Sequence, residues 1–315
     1  MSWSTTDIPS LDGRRAIVTG GNGGLGLQTA LELARRGAHV VLAVRDTSKG
    51  RTAAERITAQ AAGASVEVQE LDLADQASIR AFADREEAAG APLDLLINNA
   101  GIMATPPRHT ADGFELQFGT NHLGHFALTG RLLGRLKAAD APRVVTISSA
   151  MHRIGKIDFD DLNSERRYSP WPAYGQSKLA NLLFARELQR RADAAGLPLR
   201  SLAAHPGYSA THLQTTGPGL GGGLAAKLNA GAMKVANAVV ATKDSYGAQP
   251  TLYAATFGEV PGGSFVGPKR LGQTRGPIGV VQSNARGRDL DVARRLFDVS
   301  EELTGVSFGL APAAA

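Results

Sequence analysis

The sequence predicts an α/β fold with a doubly wound, mostly parallel sheet, on three observations. Short apolar, β-branched runs recur through the first two-thirds of the chain, stretches with helical spacing separate them, and a glycine-rich turn follows the first run directly. Strand runs alternating with helical patterns mark βαβ units. Right-handed crossovers then wind helices onto both faces of the sheet.

The elements follow in order. AIVTG (16–20) is the first strand, and LGLQTALELARRG supplies the helical spacing behind it. HVVLAV (39–44) and SVEVQEL (65–71) are the next strands, followed by the helical DQASIRAFADREEAAG. LDLLINN (93–99), RVVTISS (143–149) and LRSLAAH (199–205) complete the set. Neither repeat nor linker interrupts the 315 residues, so one domain is expected over 1–315, with its core at about 14–305. Two long connections break the rhythm: an insertion at 150–172 and a segment at 205–243 that begins HPGYSATHLQTTGPGLGGG. Long connections in an α/β domain are usually functional loops. The largely apolar stretch 224–241 makes a substrate lid the expectation for 205–243.

Composition removes several function classes. With no cysteine, the chain can have neither disulfides nor thiolate chemistry. His122, His125, His152 and His205 have no metal-ligand spacing, so no metal is expected. The net charge of +5 is scattered and aromatics make up 5% of residues, so neither a basic run nor a stacking platform for nucleic acid is present. No window approaches a membrane span, and the opening MSWSTTDIPSLDGRR lacks an apolar leader, so the expectation is a cytoplasmic protein.

TGGNGGLG (19–26) joins the first strand to a helix, with Gly20, Gly24 and Gly26 spaced G-x-x-x-G-x-G. Glycines here permit a tight turn and let backbone N–H groups at a helix start approach a pyrophosphate. Asn22, Gly23 and Leu25 complete the expected phosphate loop. Without a Lys-Ser/Thr ending, it is not a nucleotide-triphosphatase loop. A site preferring NAD places an acid at the end of the second strand. This chain has Arg45 there, 19 residues beyond Gly26, with Lys49 one helical turn later. An arginine fork grips a 2′-phosphate that an acid would repel. NADP(H) is therefore the expected cofactor.

TGGNGGLG, NNAG (98–101), TNHLGHF (120–126), ISS (147–149), YGQSK (174–178) and HPG (205–207) resemble the motifs of short-chain dehydrogenases/reductases, in the same order. The AVRDTSKG segment and the long insertion resemble the retinol-dehydrogenase-like branch more narrowly. The resemblance implies a three-layer Rossmann fold with a seven-stranded parallel sheet. It implies a catalytic set of Asn121, Ser149, Tyr174 and Lys178, with a lipophilic alcohol, aldehyde or ketone as substrate. By the same resemblance, Asn121 holds a water that relays protons from Lys178. Pro206, Gly207 and Thr211 frame the nicotinamide. Both homodimer and homotetramer remain open.

The residues add a physical reading. Tyr174 offers a phenol of ordinary pKa about 10, and bringing it near 7 takes roughly 4 kcal/mol of phenolate stabilisation. Lys178 at i+4 shares its helix face, and an ammonium there favours the phenolate. Lys178 can also reach the cofactor's ribose, which places Tyr174 and Lys178 in the cofactor site as well. Tyr174 is the expected general acid and base, and Ser149 the expected hydrogen-bond donor to the substrate oxygen. Asp72, with Leu73, either meets the adenine edge or caps a helix. Asn99, Ala100 and Gly101 either close over the cofactor or form a plain turn. The competing function is a non-catalytic NADP(H)-binding sensor or scaffold.

Overall fold

All six predicted strand runs lie side by side in one sheet of the computed structural model, which describes residues 3–207 and 244–311. β1 (Arg15–Thr19), β2 (His39–Val44), β3 (Ser65–Glu70), β4 (Leu95–Asn98), β5 (Arg143–Ile147) and β6 (Arg200–Ala204) pair in parallel in the order β3-β2-β1-β4-β5-β6. The order reverses at β1, which lies between β2 and β4. In open α/β sheets, the crevice at the carboxyl ends of strands beside such a switch is the ligand site.

Side-chain alternation builds the layers. Ala16 and Val18 of β1 enter one core with Leu27, Leu31 and Leu252, while Ile17 enters the other with Phe82, Phe126 and Phe184. Both faces are buried, which is why the strands read as continuous apolar runs. α1 (Gly24–Arg35) and α2 (Thr47–Gln60) cover the first face. α3 (Gln76–Ala89), α5 (Gly124–Arg131), α7 (Pro170–Ala194) and the helix Leu290–Thr304 cover the second. The short α4 (Leu116–Phe118) leads through a π-turn, Gly119–Leu123, into α5, and α6 (Leu133–Lys137) follows. Arg191 on α7 is buried, pairs with Glu187 at 3.0 Å and lies 4.0 Å over the Phe297 ring. It thereby locks α7 to the helix Leu290–Thr304.

Among the described residues the sheet has eight strands rather than the expected seven, and it is not wholly parallel. β7 (Phe265–Arg270) pairs in parallel with β6, then antiparallel with the edge strand β8 (Arg275–Val280). Only four residues join β7 to β8, and a parallel partner needs a crossover of a dozen or more. Leu271, Gly272 and Gln273 turn the chain with positive φ. β8 reads RGPIGV, and its proline and glycines hide it from strand propensity while suiting an edge.

The insertion also ends earlier than the sequence suggests. After a 3₁₀ turn at Ala150–Arg153 it runs irregularly to Ser169, and Pro170 already opens α7 at the position where its missing N–H costs nothing. Of the expected lid, only His205–Gly207 lie among the described residues; 208–243 lie outside them.

Candidate active site

The glycine loop is shaped for close backbone approach. Gly20 has φ +65° and Gly24 φ +52°, the left-handed region that disfavours a Cβ. A Cβ on Gly26 would lie 2.4 Å from the Gly20 carbonyl oxygen. Gly23 caps α1 without a side-chain bond, and no acid stands in the first turn. The N–H groups of Gly24, Leu25 and Gly26 therefore have no intrahelical partners. A Cβ on Gly23 or Gly24 would meet nothing within 4 Å, so open space fronts this helix start. That cradle fits a pyrophosphate. Asn22 is half-buried at the turn, and Leu25 packs inward.

Thr19 joins this loop to the end of β4. Its Oγ1 accepts the Asn99 and Ala100 N–H groups, each at 2.9 Å, and its carbonyl accepts the Asn99 side chain at 2.8 Å. A Cβ on Gly20 would sit 3.1 Å from Ala100, so the two loops are in contact. The Asn99 amide nitrogen is thus engaged in holding the loop, while Gly101 borders the cleft beyond it.

Arg45 and Lys49 divide. Arg45 directly follows β2, is exposed, and has no hydrogen bond or ion pair among the described residues. Lys49 instead pairs with Asp46 at 3.3 Å, and its N–H is capped by the same carboxylate. Asp72 lies at the neighbouring strand end, since Leu71 N–H bonds the Val44 carbonyl at 3.0 Å. Its Oδ1 accepts the Ala74 N–H at 2.9 Å, but the N-cap of α3 is Asp75, so the capping alternative for Asp72 falls. The Leu73 carbonyl packs on Gly124, where a Cβ would come within 2.4 Å of it.

The four expected catalytic residues converge at the ends of β4 and β5. Adjacent serines separate by their partners. Ser148 is buried and donates to the Lys178 carbonyl at 2.8 Å, whereas the Ser149 hydroxyl accepts the Met151 N–H at 3.3 Å and acts on the Tyr174 phenol. Tyr174 is buried against Met103, Ala104 and Met151. Burial pushes its phenol up to about 12, against the smaller downward pull of Ser149. Burial likewise brings the Lys178 ammonium down to about 8. Lys178 Nζ donates to the Ile147 carbonyl at 3.1 Å and lies 5.7 Å from the Tyr174 ring centroid.

Asn121 stands in the π-turn, a device that recurs at functional sites. Its Oδ1 accepts the Ile102 N–H at 2.8 Å, and its Nδ2 donates to the Ile102 carbonyl at 2.9 Å and to Ser177 Oγ at 3.0 Å. A Cβ on Gly101 would lie 3.1 Å from Asn121 Oδ1 and 3.4 Å from Lys178 Nζ, so both polar groups border that glycine. Gly207 has φ +71°, and a Cβ there would fall 2.5 Å from the Thr274 carbonyl oxygen, which puts the HPG turn under the β7–β8 turn. Pro206 precedes it; Thr211 lies outside the described residues.

Sequence reasoning missed the connecting groups: Thr19, His125, Ser177, Asn181 and the Ile147 carbonyl, which accepts from both Lys178 and Asn181. Thr19, His125 and Ile147 lie inside the quoted motifs without a role assigned to them, and Ser177 and Asn181 follow Tyr174 by three and seven residues in helical spacing.

A short chain dehydrogenase family model matches residues 14–217. The chain belongs to the short chain dehydrogenase family. It is similar to retinol dehydrogenases: 52% identical to mouse retinol dehydrogenase 12 over 203 residues, 64% of this chain and 63% of that protein. The match thus spans less than two-thirds of that relative's length. Human retinol dehydrogenase 13 is 41% identical over 301 residues, 94% of this chain and 86% of that protein. A crystal structure of an uncharacterized protein from Mycobacterium paratuberculosis is 48% identical, with a TM-score of 0.81, covering 98% of this chain and all of that one. The family binds NAD or NADP, which agrees with the glycine cradle. Among the described residues, no helix is long and apolar enough to cross a membrane, and no group of three or more His, Asp or Glu could hold a metal.

Proposed function

We propose that this chain is an NADP(H)-dependent oxidoreductase that interconverts an alcohol and an aldehyde or ketone, with a lipophilic substrate. The observation that carries this reading is the buried Tyr174, its phenol within the influence of Ser149 and walled by Met103, Ala104 and Met151. Those apolar neighbours support a lipophilic substrate, because they shed water readily and offer a carbonyl few competing polar partners.

The dinucleotide, when bound, supplies or accepts the hydride. The backbone N–H groups of Gly24, Leu25 and Gly26 would hold its phosphates, and Arg45 the 2′-phosphate. Asp72 and Leu73 would border the adenine; Ala100 and Gly101 would border the cofactor at the end of β4. Lys178 and Tyr174 would meet the ribose, and Pro206, Gly207 and Thr211 the nicotinamide. With its phenol near 12, Tyr174 is protonated at neutral pH and is therefore poised to donate a proton to a carbonyl oxygen. The Ser149 hydroxyl hydrogen-bonds the same oxygen and stabilises its developing charge. Running the reaction as an oxidation requires Tyr174 to accept that proton, which the buried phenol resists until cationic charge gathers beside it.

The test is Tyr174→Phe, assayed by NADPH oxidation against retinals, aliphatic aldehydes, steroids and quinones, with cofactor binding measured separately. The expected result is retained binding with carbonyl reduction lowered about 100-fold or more. Full activity in the variant would remove Tyr174 from the chemistry. Binding without any turnover in the wild type would favour a sensor.

A further inference from the structure

His125 is fully buried on the first turn of α5, four residues after Asn121. Its ring nitrogens reach two different parts of the site. Nδ1 lies 2.9 Å from the Asn121 carbonyl oxygen, and Nε2 lies 2.9 Å from Thr19 Oγ1. A carbonyl only accepts, so Nδ1 carries the hydrogen. Burial brings the ring's pKa down to about 4, so near neutral pH Nε2 is a bare acceptor.

Thr19 must then give its one hydroxyl proton to Nε2. Its 3.3 Å contact with the Ile97 carbonyl is left without a proton. The Thr19 oxygen retains two lone pairs, and these accept the Asn99 and Ala100 N–H groups at 2.9 Å each. Every donor and acceptor on His125 and Thr19 is matched in this one arrangement.

The arrangement joins two irregular features. On one side is the glycine loop, stapled to the end of β4 through Thr19. On the other is the π-turn Gly119–Leu123, closed by the Gly124 N–H on the Gly119 carbonyl. Such a turn competes with a regular helix and persists because its surroundings hold it. His125 grips it at Asn121, whose carboxamide is clamped to Ile102 and Ser177.

We propose that His125 is a positioning residue, a rigid bridge that fixes the Asn121 backbone in the π-turn and couples it to the cofactor loop through Thr19. This rests on the oxidoreductase reading for the role of Asn121. The bridge predicts that displacement at the glycine loop is transmitted to the centre that handles the proton, although His125 contacts neither substrate nor cofactor.

Two near-isosteric variants separate its halves. His125→Asn places an amide nitrogen near the position of Nδ1, which keeps the Asn121 bond and loses Thr19. His125→Gln reaches toward Thr19 and loses Asn121. For His125→Gln, kcat for carbonyl reduction should fall about tenfold or more, with the NADPH dissociation constant within about threefold of wild type. His125→Asn should recover most of that kcat while weakening NADPH binding by roughly two- to tenfold, the worth of one net hydrogen bond. Histidine side-chain ¹⁵N NMR of the wild type, assigned with these variants, should report an Nδ1–H tautomer for His125. An Nε2–H tautomer, or equal losses of kcat and affinity in both variants, overturns the bridge. Absence of turnover in the wild type counts against the oxidoreductase reading alone, because the tautomer and the dissociation constants still decide the inference.

Discussion

Lys178 and Tyr174 share one buried face of α7, yet the Lys178 ammonium donates to the Ile147 carbonyl at 3.1 Å and stays 5.7 Å from the Tyr174 ring centroid. Helical spacing alone suggested that the lysine would draw the phenol toward neutrality. In this structure burial acts on both groups and disfavours the charged form of each, holding the phenol near 12 and the ammonium near 8. The spacing brings the pair together; the dry surroundings set their protonation.

That balance has a signature in stability. Lys178 titrates at about 8 when folded, against its ordinary 10.5, so between these values the unfolded chain binds more protons. Stability contributed by Lys178 therefore rises with pH across this window, with a slope of up to about 1.4 kcal/mol per unit, and is lost as pH falls through 8. Lys178→Met removes the group. The difference in urea unfolding free energy between wild type and Lys178→Met should move in favour of the wild type from pH 8 to 10. Parallel curves would mean that the ammonium is solvated.

Arg45 sets the expected cofactor preference. It stands unpaired among the described residues, while Lys49 is engaged with Asp46, so under the NADP(H) reading Arg45 is the group that would meet a 2′-phosphate. A charge-assisted bond is worth about 1.5–3 kcal/mol, or roughly 10- to 100-fold in affinity. Arg45→Asp should weaken NADP(H) binding by that factor and improve NAD(H) binding through the ribose hydroxyls. Dissociation constants for both cofactors measure it, and an unchanged ratio sinks the assignment.

Tyr168, in the insertion, braces the wall over Tyr174. Its hydroxyl donates to the Thr105 carbonyl at 2.7 Å and accepts from Gln117 Nε2 at 2.9 Å. Gln117 Oε1 in turn holds the Ala104 N–H at 2.7 Å, where Ala104 has φ +51°, a conformation that disfavours a Cβ. Tyr168→Phe leaves a buried carbonyl and a buried amide short of a partner. It should cost about 1–3 kcal/mol in thermal unfolding and raise KM for bulky apolar carbonyls more than for small ones. Equal KM changes would detach the brace from the substrate wall.

How much of this was legible depended on what each residue's position follows from. The glycine loop and the Tyr174–Lys178 pair could be read because a strand–turn–helix and an i+4 step are local patterns. Resemblance pointed to Ser149, but that the adjacent Ser148 is engaged elsewhere could not be read, since its hydroxyl meets the Lys178 carbonyl 30 residues away. Thr19 and Asn99 are 80 residues apart in sequence, so no periodicity could show that the asparagine holds the loop. Lys49 looked by spacing like added charge beside Arg45, and only the fold showed its ion pair with Asp46. β8 escaped because an edge strand rich in glycine and proline looks like a loop, and only the four-residue hairpin makes it a strand.

The buried histidines predict a steep response to acid. His122 and His205 titrate at about 3 and His125 at about 4, all lowered from 6.5 by burial. Below pH 6.5 the unfolded chain therefore takes up protons that the folded chain refuses, and stability falls as pH drops toward these values. Each histidine contributes up to about 1.4 kcal/mol per pH unit, so together they approach 4 kcal/mol per unit near pH 5. His152 is lowered by burial as well and acts in the same direction, whereas Glu115 opposes them, because burial raises its pKa and acid favours its neutral form. His122→Gln isolates one contribution. Its side-chain amide can still reach Ser300, which His122 Nε2 meets at 3.0 Å, and it cannot titrate. Urea unfolding at pH 7, 6, 5.5 and 5 should give a slope for the variant shallower than wild type by up to about 1.4 kcal/mol per pH unit. Identical slopes would mean that His122 charges within the folded protein, although its described neighbours Ser300, Asn181, His125 and the Phe118, Phe126 and Phe184 rings include no carboxylate to balance the charge.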